Sequence, residues 1–334
     1  MTPTTLICII ITTSLLSILL SYLILTFYVL HRHSHYSTIG TNHSMINQFT
    51  FNTDKPQNVA LIIAHPDDET MFFIPTLQQL RSHSHNIHVL CMCNGSVQQN
   101  QSRTAELLSV CKYMNINEKN VWIVDDKLLP DGIHKSNNWS TARIAQYITI
   151  FIKQHLIDII ITFDSYGVSG HINHQATYYG VLEYLTNVHT NYYKQQQQQL
   201  QYTNTKHTLP LPPVVYTLQS QSLIEKYIGM VNILLVDMTQ KQIIHQRNHS
   251  IHRSVPLELV AIYINSTHNY YCMSLHTSQF VWYRKLFVYF SSYTYINKLE
   301  LIDLEQLFAN YTNHDILSSA TPDDIDTSRH NKEL

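Results

Sequence analysis

Between residues 58 and 218, short apolar segments alternate with segments of helical spacing, and this alternation strongly constrains the fold. The apolar segments are Val59–Ala64, Ile87–Cys93, Val121–Val124, Ile157–Phe163 and Val214–Leu218. The segments with helical spacing are Thr70–Arg81, Ser102–Met114, Ser140–His155 and His174–Val188. Strands that alternate with helices form a mostly parallel sheet with helices on both faces. The sequence therefore predicts an α/β fold whose ligands bind at the carboxyl ends of the strands.

A strongly polar hexapeptide, Ala64-His65-Pro66-Asp67-Asp68-Glu69, follows the first predicted strand. It places one imidazole and three carboxylates where a buried strand ends and its loop opens to solvent. An α/β enzyme binds a metal ion and positions a general base at such a place.

A second polar cluster follows the fourth predicted strand. His171 and His174 are three residues apart at the expected start of a helix, so their rings share one side of a turn. Two of the chain's seven glycines, Gly167 and Gly170, lie in this loop and indicate a tight backbone. In a chain with 21 histidines the pair alone is compatible with an ordinary helical turn. Its place at the same sheet edge as His65 favours one shared site.

The residue types of the two clusters suit a hydrolytic zinc site. His65, Asp68 and His174 supply two nitrogen ligands and one oxygen ligand and leave a position for water, a set that suits Zn²⁺ better than Mg²⁺. Asp67 is predicted to be the general base. His171, as an imidazolium, is predicted to stabilise the oxyanion and to protonate the leaving amine.

Two further carboxylates have two possible roles. Glu69 and Asp164 are expected either to orient the ligand imidazoles or to cap a helix or a loop.

The N-terminus is predicted to be a transmembrane helix. Leu6 to Leu30 contains 25 residues without a charged side chain, which is enough to cross a bilayer with some tilt. A cleaved signal peptide is the alternative, but no Lys or Arg precedes the segment and no small-residue cleavage site follows it. Arg32, the first basic residue, predicts a cytosolic domain, and an odd number of cysteines, expected to be reduced, agrees with it. The chain's Asn-x-Ser/Thr sequons would instead suit a luminal domain, although such sequons arise by chance in a chain rich in Asn, Ser and Thr.

Composition and motifs exclude some functions and divide the chain. Lys plus Arg number 21 against 23 for Asp plus Glu, so no positive excess indicates a nucleic-acid partner. No G-x-G-x-x-G or Walker motif is present, which disfavours a nucleotide cofactor. The predicted parts are an anchor (1–33), a linker (34–57), a catalytic domain (58–300) with a glutamine-rich loop insert (189–208), and a tail (301–334). The aromatic segment Phe280–Tyr295 is expected to lie in the membrane interface or to be a packed core helix.

The two polar clusters together resemble the PIG-L/LmbE-like family of metal-dependent de-N-acetylases over roughly residues 58 to 300. Three further motifs carry the resemblance to family members that act on a phosphatidylinositol glycolipid. They are Asn94-Gly95 followed by Arg103-Thr104-Ala105-Glu106-Leu107, Thr162-Phe163-Asp164 before Gly167-Val168-Ser169-Gly170-His171, and the segment from His276 to Arg284. One departure is Asn100, which stands where such proteins commonly have glycine.

The resemblance implies a Rossmann-like fold, Zn²⁺ or another divalent metal on His65, Asp68 and His174, Asp67 as the base and His171 as its electrostatic or acid partner. Arg103 is expected to contact substrate phosphate or to hold its loop through Glu106. His276 is expected to bind substrate, with a core or capping role as the alternative.

The implied activity is removal of the acetyl group from the N-acetylglucosamine of a phosphatidylinositol glycolipid in glycosylphosphatidylinositol-anchor biosynthesis. The implied location is the endoplasmic reticulum membrane, with one span and a cytosolic domain. A deacetylase of a soluble amino-sugar conjugate and a non-catalytic membrane scaffold are the alternatives. The sequence identifies no protein partner.

Overall fold

A seven-stranded sheet forms the centre of the computed structural model, which describes residues 2–39, 49, 51, 55–95, 100–132, 138–202, 212–238 and 256–304. The strands are β1 (Asn58–Ile63), β2 (Asn86–Cys91), β3 (Val121–Ile123), β4 (Ile159–Phe163), β5 (Val214–Leu218), β6 (Glu258–Ile262) and β7 (Ile296–Leu301). Their order in the sheet is β3-β2-β1-β4-β5-β7-β6.

Eleven helices surround this sheet within the described ranges. They are α1 (Pro3–Ile39), α2 (Asp68–Phe72), α3 (Ile74–Ser82), α4 (Asn100–Tyr113), α5 (Thr141–His155), α6 (Gly167–Gly170), α7 (Ile172–Tyr202), α8 (Leu223–Tyr227), α9 (Gly229–Met238), α10 (Ser266–Leu275) and α11 (Trp282–Phe290). The first turn of α9, Gly229–Val231, is a 3-10 turn.

The first five strands are parallel, as the sequence predicts, and their order reverses between β1 and β4. Right-handed connections place α3 and α4 on one face and α5 and α7 on the other. In agreement, α5 packs against α7, and α4 packs against α10. The predicted α/β fold with helices on both faces is therefore confirmed. Ligands of such sheets bind outside the carboxyl ends of the two strands that flank the reversal, here β1 and β4.

The central strands are apolar because helices cover both faces of the sheet. Leu61, Ile62 and Ile63 of β1 and Ile160 and Ile161 of β4 are all buried. These side chains belong to one core that extends across the sheet.

Two antiparallel strands, which the sequence did not predict, extend the sheet. β7 pairs with β5 and with β6. Its sequence, Ile296-Asn297-Lys298-Leu299-Glu300-Leu301, mixes polar and apolar residues and lacks the continuous apolar run of the parallel strands. Asn297 is fully buried, and its side chain bonds Thr76 and the carbonyl oxygen of Phe72, so β7 ties the C-terminal segment to α3.

Two predicted segments need correction. The single helix predicted over Thr70–Arg81 is two helices that meet at Phe73, with Pro75 in the first turn of the second. The predicted loop insert is wrong over residues 189–202, because α7 continues through the glutamine run to Tyr202. Glutamine is a good helix former, and neither Gly nor Pro occurs between residues 181 and 209. Residues 203–208 lie outside the described residues.

The long N-terminal helix α1 contains a segment, Pro3–His31, whose length and apolar composition allow it to cross a membrane. The helix continues to Ile39, past Ser34, where the linker was predicted to begin; most of the remaining linker is outside the described residues. One stripe of α1 contacts the rest of the protein. Val29 is buried against Met230 and Ile233 of α9.

Candidate active site

The candidate site lies outside the carboxyl ends of β1 and β4. Asp68 shapes the loop after β1, because its Oδ2 accepts hydrogen bonds from the backbone N–H of Ala64 (3.1 Å) and of His65 (2.8 Å). The side chains of His65, Asp67 and Asp68 are nearly inaccessible to solvent. The sequence predicts a polar cluster here, and in the structure the hydrogen bonds to Asp68 close the loop into a turn.

His174 is held by the loop after β4. Its Nδ1 donates to the carbonyl oxygen of Gly167 (3.1 Å), which directs Nε2 towards Asp68 Oδ1, 3.2 Å away. Gly167 has φ +64°, and a Cβ at this position would lie 2.7 Å from Cβ of His174. The loop therefore requires glycine so that the imidazole can approach its backbone.

Asp164 organises the same loop and does not bond an imidazole directly. Its carboxylate accepts from the backbone N–H of Gly167 (2.9 Å) and from the N–H (2.6 Å) and the hydroxyl (2.7 Å) of Ser220. Of the two roles considered for Asp164, the structure shows loop capping. Its effect on His174 is indirect, through Gly167.

His65 lies between Asp68 and Asn173. Its Nδ1 is 3.6 Å from Asp68 Oδ2, and its Nε2 is 3.0 Å from Asn173 Nδ2 and 3.4 Å from Asp131 Oδ1. Asn173 Oδ1 is buried without a hydrogen-bond partner in the part of the chain that the structure describes. Rotating this amide by 180° lets Oδ1 accept from Nε2–H and leaves Nδ1 as the lone-pair nitrogen of His65.

These residues fit a divalent metal ion. Three imidazoles come close together: one ring nitrogen from each of His65, His171 and His174 lies within 4.8 Å of the other two. Because Nδ1 of His174 donates to a carbonyl, its Nε2 carries a lone pair that faces a carboxylate oxygen of Asp68. Two acceptors at this distance need a cation or an added proton between them. A metal-binding imidazole characteristically donates its other nitrogen to a carbonyl in this way.

The residues of the candidate site shift one another's pKa values. Burial lowers the pKa of His65, but the carboxylates of Asp68, Asp131 and Asp67 outweigh it and raise the pKa above its ordinary value. Burial would raise the pKa of Asp68, yet His174 and His65 hold it well below its usual range. Burial, with His65 and His174 nearby, lowers the pKa of His171 to about 4. Burial first, and the neighbouring imidazoles second, thus oppose the imidazolium predicted at His171.

Asp67 faces two arginines instead of the histidines. Its Oδ2 bonds Nη1 of Arg284, and Nη2 of Arg103 lies 3.6 Å away. Arg103 also bonds Asp131 and donates to the carbonyl oxygen of Pro66 (3.0 Å). Asp67 has φ +126°, a conformation that non-glycine residues seldom adopt and that is concentrated at functional sites. This backbone conformation turns Asp67 away from Asp68.

Glu69 and His276 form a buried pair beside Asp67. Glu69 Oε2 accepts from the backbone N–H of Asp67 (3.1 Å), and Glu69 Oε1 bonds Nε2 of His276 (2.5 Å). Glu69 therefore orients the imidazole of His276 and not those of His65 or His174. His276 is 0% exposed, which favours the core role, the alternative expected from the sequence, over direct contact with substrate.

Glu106 connects α4 to the segment after α10. Its carboxylate accepts from Ser102 (3.2 Å), Thr277 (2.8 Å) and both the N–H and the hydroxyl of Ser278 (2.8 and 2.7 Å). The suggested pairing of Arg103 with Glu106 is thus replaced by pairing of Arg103 with Asp131. The side chain of Asn100, whose effect on this loop the sequence left open, is outside the described part of the structure.

Three residues of the site were not predicted: Asp131, Asn173 and Arg284. Asn173 and Arg284 occur within motifs noted for their resemblance to the family, although their side chains were given no role. Asp131 follows a proline and precedes a glycine, which signals a turn and not a site. What identifies all three is their contact with His65, Arg103 or Asp67, and such contacts arise only in the folded chain.

The sequence profile of the PIG-L family, described as GlcNAc-PI de-N-acetylase, matches residues 60–185. The chain is 33% identical to a probable N-acetylglucosaminyl-phosphatidylinositol de-N-acetylase of Dictyostelium discoideum, over 73% of this chain and 92% of the relative. It is 30% identical to the N-acetylglucosaminyl-phosphatidylinositol de-N-acetylase of Bos taurus, over 72% of this chain and 82% of the relative.

Among solved structures, the chain is similar to a deacetylase of the teicoplanin biosynthetic pathway (11% identity, 73% of this chain and 97% of that one, TM-score 0.47). It is also similar to the N,N'-diacetylchitobiose deacetylase of Pyrococcus horikoshii (12% identity, 78% of this chain and 87% of that one, TM-score 0.44). The sequence similarity to the curated relatives, which extends over most of their length, shows that this chain belongs to the PIG-L family of GlcNAc-PI de-N-acetylases.

Proposed function

We propose that this protein hydrolyses the N-acetyl group of N-acetylglucosaminyl-phosphatidylinositol, giving glucosaminyl-phosphatidylinositol and acetate. The observation that carries the proposal is the meeting of His65, Asp68 and His174 outside β1 and β4, with the carboxylate of Asp67 next to them in the chain. The curated relatives, whose names state this activity, support the choice of substrate. In the proposed pathway the product serves glycosylphosphatidylinositol-anchor biosynthesis.

His65, Asp68 and His174 would hold a divalent metal ion, for which we propose zinc because two of the three ligands are imidazoles. When bound, such an ion supplies Lewis acidity for amide hydrolysis. The protein orients these ligands through bonds on their far sides. Gly167 fixes His174, Asn173 fixes His65, and two backbone N–H groups fix Asp68.

Asp67 takes the proton of the attacking water in this proposal and passes it to the leaving nitrogen as the C–N bond breaks. Both arginines approach its Oδ2, which fixes the plane of the carboxylate, and we assign proton transfer to Oδ1. A positioned carboxylate contributes typically 10² to 10⁴ to the rate as a general base. Arg103, which bonds Asp131 and lies near Asp67, is a positioning residue in this proposal and not a ligand of the substrate phosphate.

His171 donates a hydrogen bond to the developing oxyanion in this proposal. Its Nδ1 accepts from the backbone N–H of Asn173 (3.3 Å), so that Nε2 carries the proton of the neutral ring. A neutral imidazole whose pKa is low is an effective electrophilic donor. This role replaces the imidazolium expected from the sequence.

The glycolipid substrate requires a membrane location, and α1 supplies a segment able to span a bilayer. We propose a single-pass protein of the endoplasmic reticulum membrane with its catalytic domain in the cytosol. The basic residue that follows the span, Arg32, and the free cysteines support this orientation.

The proposal is tested by measuring acetate release from GlcNAc-phosphatidylinositol in detergent by the full chain. We expect release that a chelator abolishes and added zinc restores. A water-soluble GlcNAc conjugate of the same head group is the matched substrate. Release from the soluble conjugate alone would replace the glycolipid by a soluble amino sugar, and the absence of release from both would exclude the deacetylase activity.

A further inference from the structure

Two short helices expose an apolar surface next to the candidate site. We call it the α8–α11 surface, and its most prominent side chains are Leu223, Ile224, Tyr227, Trp282, Leu286 and Phe290. Leu223 and Ile224 are each 76% exposed, and Trp282 is 73% exposed. Large side chains that are this exposed and this close together mark a surface that binds a partner or a membrane.

The two helices form one continuous surface. Nζ of Lys226 in α8 lies 6.0 Å from the centre of the Phe287 ring in α11. The hydroxyl of Ser292, just beyond α11, bonds the carbonyl oxygens of Glu225 and of Gly229. These contacts hold α8 next to α11, so the exposed apolar residues of the two helices form one surface.

The membrane-spanning candidate α1 passes beside this surface. The hydroxyl of Tyr22 lies 2.9 Å from the point that a Cβ on Gly229 would occupy, and the carbonyl oxygens of Tyr289 and Phe290 lie 3.4 Å from the same point. The last turn of α11 is therefore a direct neighbour of Tyr22.

The contact with Tyr22 determines how deep in a bilayer the α8–α11 surface would lie. The uncharged stretch of α1, Leu6 to Leu30, is about 37 Å long at the rise of an α-helix, whereas the hydrocarbon core of a bilayer is about 30 Å thick. The stretch therefore exceeds the core, and the part from Tyr22 to Leu30 reaches the boundary between hydrocarbon and head groups. Tyrosine and tryptophan favour this boundary.

We propose that the α8–α11 surface lies in the membrane interface and binds the lipid bilayer itself. The bilayer is the occupant because the surface adjoins the helix that crosses it and is rich in aromatic side chains. Arg284 of α11 bonds Asp67, so the helix that contacts lipid also reaches the catalytic carboxylate. The site is thereby held at the level of the lipid head groups, where the sugar of a membrane-bound glycolipid is found.

Tryptophan fluorescence tests this placement in the full chain reconstituted in phosphatidylcholine vesicles. The chain has three tryptophans. Trp139 is buried, and Trp122 lies on β3, at the opposite edge of the sheet from β6, whereas Trp282 is exposed on the α8–α11 surface. We expect brominated phosphatidylcholine to quench part of the emission, and we expect Trp282→Phe to remove this quenching. Trp122→Phe is the matched control and should retain it.

Two outcomes would overturn the proposal. If acrylamide in the aqueous phase quenches Trp282 while brominated lipid does not, the surface faces water. If neither quencher reaches Trp282, another protein or a second copy of the chain covers the surface. The inactive Asp67→Asn chain should show the same lipid quenching as the wild type, so a failure of the proposed deacetylase function would not affect this result.

Discussion

The candidate site has two sides that are built differently. The histidine side consists of His65, His171 and His174 with Asp68. His65 and His171 lie in loops after β1 and β4, and Asp68 and His174 lie in the first turns of α2 and α7. The arginine side consists of Arg103 and Arg284 with Asp67, and its arginines come from α4 and α11. The segments at the reversal of the sheet thus suffice to assemble the proposed metal ligands, whereas the orientation of Asp67 depends on segments that are distant in the sequence.

Adjacent residues, Asp67 and Asp68, separate the two sides. The positive φ of Asp67 directs its carboxylate to the arginines, while the carboxylate of Asp68 turns back to the N–H groups of its own loop. Strain at one backbone position therefore allows neighbouring carboxylates to point to different partners.

Of the changes that distinguish the arginine side from the histidine side, Asp67→Asn is expected to have the largest effect on turnover. Turnover should fall by about 10² to 10⁴ with unchanged metal content, because the amide cannot accept the proton whereas the ligands are intact. Metal measured by plasma emission and acetate release from the same sample would show this. Glu118→Gln, a change at an exposed carboxylate, is the control, and an empty metal site in Asp67→Asn would reverse the roles of the two aspartates.

Changes on the histidine side should act through the metal. We expect Asp68→Ala and His174→Ala to weaken metal affinity at least 10- to 100-fold, with activity partly recovered at high zinc concentration, since the base remains in place. Titration of the purified chain with zinc, followed by acetate release, gives both quantities. Retention of full zinc affinity in both variants would move the metal to other ligands.

Arg284 tests whether the arginine side positions Asp67. We expect Arg284→Ala to lower kcat by about tenfold, a fraction of the general-base contribution, with unchanged zinc content, and we expect Arg284→Lys to restore part of the loss. Steady-state kinetics in detergent, which removes the bilayer, isolate this effect from the lipid contact of α11. A change confined to KM would instead make Arg284 a substrate ligand.

The smallest effect concerns the buried His276–Glu69 pair. Burial lowers the pKa of His276, but Glu69 outweighs burial and raises it above its ordinary value of 6.5. The protonated pair therefore contributes its full stabilisation below about pH 6.5, and this contribution is lost as the pH rises through the folded-state pKa. The free energy of unfolding lost in His276→Gln should thus be greatest in acid and should decrease with rising pH, as measured by denaturant titration. His83→Gln, a change at an exposed histidine, should show no such trend.

The histidine side was predictable, whereas on the arginine side the sequence indicated Asp67 and Arg103 but not their contact with Arg284, for a physical reason. The carboxyl ends of parallel strands lie at one edge of the sheet. Because His65 follows the first apolar run and His174 follows the fourth, the sequence already predicts that these residues meet. Arg284 and His276 belong to the C-terminal segment that β7 ties to the sheet, and β7 is an antiparallel strand without a continuous apolar run. The proton on His171 depends on burial among other imidazoles, which no spacing reveals.

The distance along the chain between the two sides has a consequence for biosynthesis. During translation the N-terminal part of a chain emerges and folds first. The loops after β1 and β4 and the first turn of α7 leave the ribosome well before α11, which carries Arg284. A nascent chain can therefore gather its proposed metal ligands while Asp67 still lacks one of its arginine partners. Under the proposed mechanism, hydrolytic competence is reached only near the end of synthesis, long after the candidate span α1 has been made.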